Sequence, residues 1–487
     1  MPTTAILFLV LAGLSILALL VQHSAFAFLL YQLVYFMSPA TRWWGAFLPD
    51  LPWSFMTVVL MAGALALRWR TLAPRTLWRE QPLVKWVLGL LIMMGLINFV
   101  ALLPDHHWRF TGYFFNLVVI MAIAYRLLDS ERMLKLSIAT YVFGATYVGY
   151  EAWTIGRNFG DRLEGVGMVD SLDANDTAAA LAPVLFLAAY FAWLGTWPIR
   201  ALCLVAGAFV ANALVLINSR GAILGVACGG LYMLAFMLFS RHQRPGQRLM
   251  AIALVLVAVA GGLYLTDQSF WDRMVTLANL DDERESGSHR IHFWLATFDM
   301  LEDHPLGLGA GGYAAISEHY LDEDIGTDRI VNKTVHSSWF QALFELGWPG
   351  LFLFGGMVFC ALRLLHRTQN SLSRAQDADA YFFVTAIGAA FICYVVAASF
   401  IDRYRAEVMY WLVLFVGVAA NVFMFQRALD SREDMDTSFA TLPDDHGKKS
   451  NESVAEGSQP DLPYRHVRGR AVAARSVQTP VARRPLR

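Results

Sequence analysis

Apolar residues along the chain gather into thirteen runs separated by polar intervals: 4–22, 24–37, 53–69, 84–103, 110–128, 134–153, 177–194, 198–217, 221–240, 249–265, 338–366, 380–399 and 407–426. A helix that crosses a bilayer needs ~20 such residues. Most of the runs meet that length, whereas 24–37 is short for a full crossing. The pattern predicts an all-α, polytopic membrane protein of twelve or thirteen transmembrane helices, with the side of the N terminus open. No Lys or Arg precedes Arg42, so the first run lacks the basic flank of a cleaved signal despite the small residues of Ala25-Phe-Ala27. A retained helix or a short helical hairpin is expected there.

Only one polar interval is long, from Leu265 to Gly350. Inside it Ile291, Trp294, Leu295, Phe298 and Leu301 recur at helical spacing. This predicts an amphipathic helix capped by Ser288, running to Asp303 and ending at His304-Pro305, on or dipping into the membrane surface. Ser338-x-x-Gln341 reads as a capping box for the next helix, which Gly347 and Pro349 should interrupt.

Charge then orients the spans. Lys and Arg concentrate in alternate loops: Arg68, Arg70, Arg75, Arg79 and Lys85; Arg126, Arg132 and Lys135; Arg241, Arg244 and Arg248; Arg367 and Arg374. Those loops should be cytoplasmic, and 104–109, 154–176, 218–220, 266–337 and 400–406 extracytoplasmic. The interval 266–335 carries fourteen acidic against five basic residues, as a translocated loop tolerates. Residues 428–463 are polar and acid-rich, and 465–487 hold seven arginines and no acid, which reads as a disordered cytoplasmic tail able to touch anionic lipid. Three regions follow: N-terminal membrane helices 1–153, a second membrane region 154–427 that includes the loop 266–337, and the tail 428–487. With 57% hydrophobic and 16% charged residues against about 25% charged in soluble domains, the chain has surplus apolar surface for lipid to cover. A net charge of −1 suggests no nucleic-acid partner, and the four cysteines all lie in apolar runs without metal-ligand spacing.

Candidate chemistry clusters at the predicted outer edge. Arg220, in Asn218-Ser-Arg-Gly221, sits on the face where positive charge is disfavoured, and reads as either a snorkelling side chain or an anion ligand. Arg290 falls in the first turn of its helix, where it opposes the helix dipole unless an anion lies between. Gly307-Leu-Gly-Ala-Gly-Gly312 spells G-x-G-x-x-G outside any βαβ unit, so it reads as a turn, with a backbone nest for phosphate oxygens as a second reading. Asp322-Glu-Asp324 matches a metal motif only by spelling. His336 precedes a helix start, which favours the neutral imidazole a general base requires, although a capping or buried histidine fits as well. Asp173-Ala-Asn-Asp-Thr177 is explained by helix capping, and Asp402-Arg-Tyr-Arg405 by an interfacial ion pair.

Taken in order, Asn175 before a helix, Ser219-Arg-Gly221, Arg290 with Trp294, Asp303-His-Pro-Leu-Gly-Leu-Gly309, His336-Ser-Ser338 and Glu345-Leu-Gly347 resemble the O-antigen ligase and polymerase superfamily of membrane glycosyltransferases, whose fold is GT-C-like. The resemblance covers roughly 173–356 and leaves the N-terminal spans and the tail outside it. It implies an enzyme of the bacterial inner membrane that works at the periplasmic face. Such an enzyme transfers a glycan from an undecaprenyl-pyrophosphate-linked donor to an acceptor hydroxyl, inverting at the anomeric carbon without metal or other cofactor. It implies pyrophosphate binding by Arg220 and Arg290, activation of the acceptor by His336, and further substrate contacts from Asn175, Ser219, Gly309, Ser337 and Arg403. The acceptor is left open among lipid A–core, a growing polysaccharide and a protein. A ligase, a repeat-unit polymerase, a lipid-linked glycan transporter and an envelope scaffold are the competing functions.

Overall fold

The computed structural model describes residues 1–72, 78–160, 162–171, 173–266, 268, 270–271, 288–321 and 334–429. The described residues fall in one compact unit, Met1–Asp434. Asp322-Glu-Asp324 and all but the first two residues of the predicted tail lie outside the described residues.

Among the described residues there are two isolated β-bridges and no strand. The helices are α1 (Thr3–Val21), α2 (Phe26–Met37), α3 (Trp53–Arg68), α4 (Val84–Ile97), α5 (Pro104–Leu127) and α6 (Glu131–Ile155). After a looped stretch come α7 (Ala174–Leu181), α8 (Val184–Leu194), α9 (Trp197–Ile217), α10 (Arg220–Phe239) and α11 (Gln247–Leu265). The last five are α12 (Ser288–Asp303), α13 (Gly312–Ile316), α14 (Ser338–Arg374), α15 (Ala378–Ala398) and α16 (Glu407–Ala420). Among the described residues nine helices are long and apolar enough to cross a membrane, so the chain is an all-α, multi-pass membrane protein. Each predicted run is helical. The run at 177–194 becomes α7 and α8, interrupted at Ala182-Pro183, because proline is tolerated at a helix start and not in its interior.

The short second run has a structural reason. All of α2 but Phe26 is buried, so its 12 residues are sheathed by other helices and not by lipid. Its aromatic face, with Phe28, Tyr31, Tyr35 and Phe36, packs around Trp411 of α16. The N-terminal helices therefore belong to the same packed unit as the region 154–427.

The loops sort into two ends. Loops predicted to share the outer side meet one another: Leu163 N–H donates to Leu216 O at 2.9 Å, Leu102 N–H to Leu308 O at 3.1 Å, and His336 N–H to Asp402 at 3.0 Å. At the opposite end, among Lys/Arg-rich loops, His242 meets Ser373 at 3.0 Å and Arg427 meets Asp377 at 2.8 Å. The α1–α2 turn joins that second end, since Arg68 donates to Leu20 O at 2.9 Å and His23 lies 3.2 Å from Asp129. Thr3 is thus at the same end as the candidate residues.

Helix α10 is set by glycine. Gly221, Gly225 and Gly229 fall on one face, against α15 and the turn after it. A Cβ on Gly225 would lie 2.5 Å from the Cys393 carbonyl oxygen and one on Gly229 2.7 Å from that of Ala389. Small residues at this spacing let two backbones approach. The close packing brings the start of α10 against Ala397, Phe400 and Ile401, which form one wall of the candidate site.

Candidate active site

Asn218 ends α9 in the left-handed conformation, which asparagine adopts more readily than most residues. The chain thereby reverses in two residues and starts α10 at Arg220. Arg220, Gly221 and Ala222 form the first turn of α10, and this helix start opens on a pocket. The pocket is lined by Arg162, Asn175, Ser219, Arg220, Gly221 and Arg290, closed by Ala179, Ala222, Ala397, Phe400 and Ile401. The starts of α7, α10 and α12 meet there. Among the described residues three guanidiniums line the pocket and no carboxylate does. Burial and the neighbouring Arg220 guanidinium push Arg290 below its ordinary pKa, with Asp402 and Asp173 pulling the other way. Like charges held together with a helix N terminus are an arrangement that suits an anion.

Arg162 is the member the sequence did not single out. Its Nε donates to Ile217 O at 3.2 Å and Nη2 to Asn175 Oδ1 at 3.1 Å, while Glu164 stands 4.0 Å from Nη1. Asn175 is in turn fixed by its own N–H, which donates to Asp173 Oδ1 at 2.7 Å, the helix cap read from the sequence. Asn175 thus steers an arginine into the pocket through its side-chain oxygen.

His336 lies beside the pocket and not in its lining. Its backbone is in the left-handed region, φ 51°, a strained conformation for a side chain of this size. The Asp402 carboxylate holds it there, accepting the N–H of His336 and of Ser337 at 3.0 Å each. Asp402 also stands 3.9 Å from His336 Nδ1, with Thr334 Oγ1 at 3.5 Å from the same nitrogen. The predicted capping box is not formed. Ser337 occupies the cap position without a side-chain bond, and Ser338 Oγ instead donates to Ile401 O at 2.8 Å and accepts from Arg403 N–H at 3.0 Å. Gln341 turns to Glu345 at 3.0 Å. The helix start is satisfied by the 401–403 segment, which no local pattern reveals.

The glycine turn has no phosphate nest. Its positive φ values at Gly307, Gly309 and Gly311 aim the amides at protein: Leu308 N–H donates to Phe344 O at 2.7 Å, Gly309 N–H to Glu345 O at 3.0 Å and Ala310 N–H to His107 Nδ1 at 2.9 Å. The carbonyls it reaches are exposed by the break at Gly347 (φ 65°), where the sequence expected one. Beneath the turn, Glu345 is buried against a two-pronged Arg405 and accepts from Tyr404 Oη at 2.9 Å.

The structure therefore brings together Arg220, Arg290, Asn175 and Ser219 and sets His336 at their edge. It places three candidates elsewhere. Gly309 is buried with its N–H committed, Ser337 is buried with its N–H on Asp402, and Arg403 is engaged by Asp176 through Nε at 2.6 Å and through Nη2. On α12, the protein-facing side is Phe293, Ala296 and Met300, whereas Ile291, Leu295 and Phe298 of the predicted stripe are exposed and Trp294 stacks on Phe340 at 5.3 Å. Among the described residues no group of three His, Cys, Asp or Glu side chains is arranged to hold a metal ion.

Comparison with curated proteins finds no match. A family model described as O-Antigen ligase does match, over residues 201–355, a stretch that contains Arg220, Arg290, the glycine turn and His336 but not Arg162, Asn175 or Asp402. Over this stretch the chain is similar to the O-antigen ligase family, whose members are glycosyltransferase-like enzymes.

Proposed function

We propose that the protein is a glycan ligase of the bacterial inner membrane, working at its periplasmic face. It moves a glycan from an undecaprenyl-pyrophosphate-linked donor to an acceptor hydroxyl. The observation that carries this reading is the pocket in which Arg162, Arg220, Arg290 and the first amides of α10 converge at the membrane-edge end of the bundle. A pyrophosphate carried on a lipid has its charge at that depth, and guanidiniums grip phosphate oxygens bidentately.

In the reaction, His336 takes the proton of the acceptor hydroxyl as its oxygen attacks the anomeric carbon. The bond from that carbon to the pyrophosphate oxygen breaks on the opposite face, so configuration inverts. The electron pair leaves on the lipid pyrophosphate, whose growing charge the arginines and the helix start offset. Asp402 keeps His336 in its strained pose and ties it to Ile401, a wall residue of the pocket. The guanidiniums meet the phosphate charge without a metal ion, so chelators should leave transfer unchanged.

The test is the lipid-linked glycan profile of a strain lacking the gene, complemented with wild type, His336→Ala or Arg220→Ala. Both variants should accumulate long lipid-linked chains at normal protein abundance. Removing one charge-stabilising donor typically lowers the rate ~10²–10³-fold. Accumulation of single repeat units would point to a polymerase using the same site, and a wild-type profile from His336→Ala would refute the active-site assignment.

A further inference from the structure

The Asp176–Arg403 pair belongs to neither half of the proposed chemistry, yet it lies between them. Asp176 is buried in the first turn of α7, next to Asn175, whose oxygen holds Arg162 in the pocket. Arg403 follows Asp402, whose carboxylate holds the N–H groups of His336 and Ser337. Two nitrogens of Arg403 converge on one oxygen of Asp176, Nε at 2.6 Å, and the backbone N–H of Arg403 donates to Ser338 Oγ at 3.0 Å. Three polar contacts, joined through the backbone at Asn175-Asp176 and at Asp402-Arg403, therefore connect Arg162 to His336. Between these two ends the other link is Phe400-Ile401, which walls the pocket and is bonded to Ser338.

We propose that Asp176 and Arg403 are positioning residues that fix the distance between the phosphate-binding arginines and His336, without touching either substrate. The inference rests on the glycan-transfer reading. Holding two reactants a fraction of an ångström from their productive separation is where much of a transfer rate originates, and a 1 Å displacement can lower it ~10²-fold. Breaking the pair leaves the arginine pocket able to bind phosphate but lets the α14 start drift. A structural pair of general importance would instead reduce binding, transfer and stability together.

Membranes of the gene-deleted strain, carrying their own lipid-linked glycan and complemented with each variant, give the rate of transfer. Purified proteins in nanodiscs give affinity for undecaprenyl pyrophosphate and the unfolding temperature. For Asp176→Asn and Arg403→Gln the expected result is a transfer rate down ~10–100-fold with undecaprenyl-pyrophosphate affinity within about threefold of wild type. The double variant should be no slower than the worse single one, since both remove one contact, and Arg403→Lys should recover part of the rate. Losses that multiply in the double variant, an affinity that falls in step with rate, or unchanged transfer would each overturn the proposal. Should Asp176→Asn fail to accumulate, Asp176→Glu and Arg403→Lys, which keep both charges and change only their reach, must still slow transfer more than binding. Arg220→Ala and His336→Ala run alongside. If those two retain transfer, the glycan-transfer reading itself fails; if they lose it while the pair variants do not, only the positioning role does.

Discussion

Arg290 sits where electrostatics alone would not keep it. It occupies the first turn of α12, is pushed below its ordinary pKa by burial and by Arg220, and shares its pocket with Arg162. An anion in the pocket relieves all three repulsions. Binding to the folded state alone raises stability by RT ln(1 + [L]/Kd), about 2.7 kcal/mol at a hundredfold excess over Kd. Undecaprenyl pyrophosphate should therefore raise the unfolding temperature of the wild-type protein in nanodiscs and leave that of Arg290→Ala nearly unmoved. An equal rise in both would remove Arg290 from the anion site. Arg220 and Arg290 were legible in the sequence because each violates a positional rule, one of topology and one of helix polarity. Arg162 breaks the same rule of topology as Arg220, but in a long polar loop two residues from Glu164 it reads as solvated. Asp402 was seen only as half of an ion pair, because its backbone partners lie in a segment far away in sequence.

At the scale of elements, the break in α14 is where the glycine turn docks. Gly347 and the glycine turn approach backbone to backbone: a Cβ on Gly347 would lie 2.8 Å from Pro305 O and 2.9 Å from Leu306 C. The positive φ adds strain for any other residue. Gly347→Ala should therefore lower the unfolding temperature and reduce transfer, and a wild-type thermal profile would show that the turn is not docked as described. Arg405→Ala removes one partner of a buried pair and strands Glu345, which typically costs ~3–5 kcal/mol. Chemical unfolding in lipid–detergent mixtures should register that loss. Helix periodicity announced α12, and Gly347 with Pro349 announced the break. What stayed hidden was which face of α12 meets protein, because Phe293 and Met300 are as apolar as the exposed Ile291 and Leu295.

At the scale of the whole molecule, charge alternation grouped the loops by side, and the contacts group them the same way. In the proposed topology the Lys/Arg bias puts the arginine pocket on the periplasmic side. Cysteines introduced as Glu164→Cys, in the Arg162 loop, and Arg244→Cys, at the opposite end, should react differently with a membrane-impermeant maleimide in intact spheroplasts. Label on the first and not the second is expected; the reverse pattern would invert the topology and remove periplasmic donors from consideration. The sequence left twelve or thirteen spans open because α2 is too short to meet lipid on its own. Its burial on every side, a tertiary fact, explains how 12 residues suffice.

Helix α12 has a consequence for the setting in which the protein can work. It shows Ile291, Leu295 and Phe298 outward, while one residue before Ile291 it carries Arg290 into the pocket. A helix that floats with its greasy side in the acyl region fixes the height of that arginine above the lipid tails. The pocket is then levelled against the leaflet as well as against the bundle. On the proposed reading, bilayers of altered thickness would tilt this gauge and detune the alignment of arginines and histidine with every bond inside the protein intact, making the surrounding lipid one more part of the catalyst.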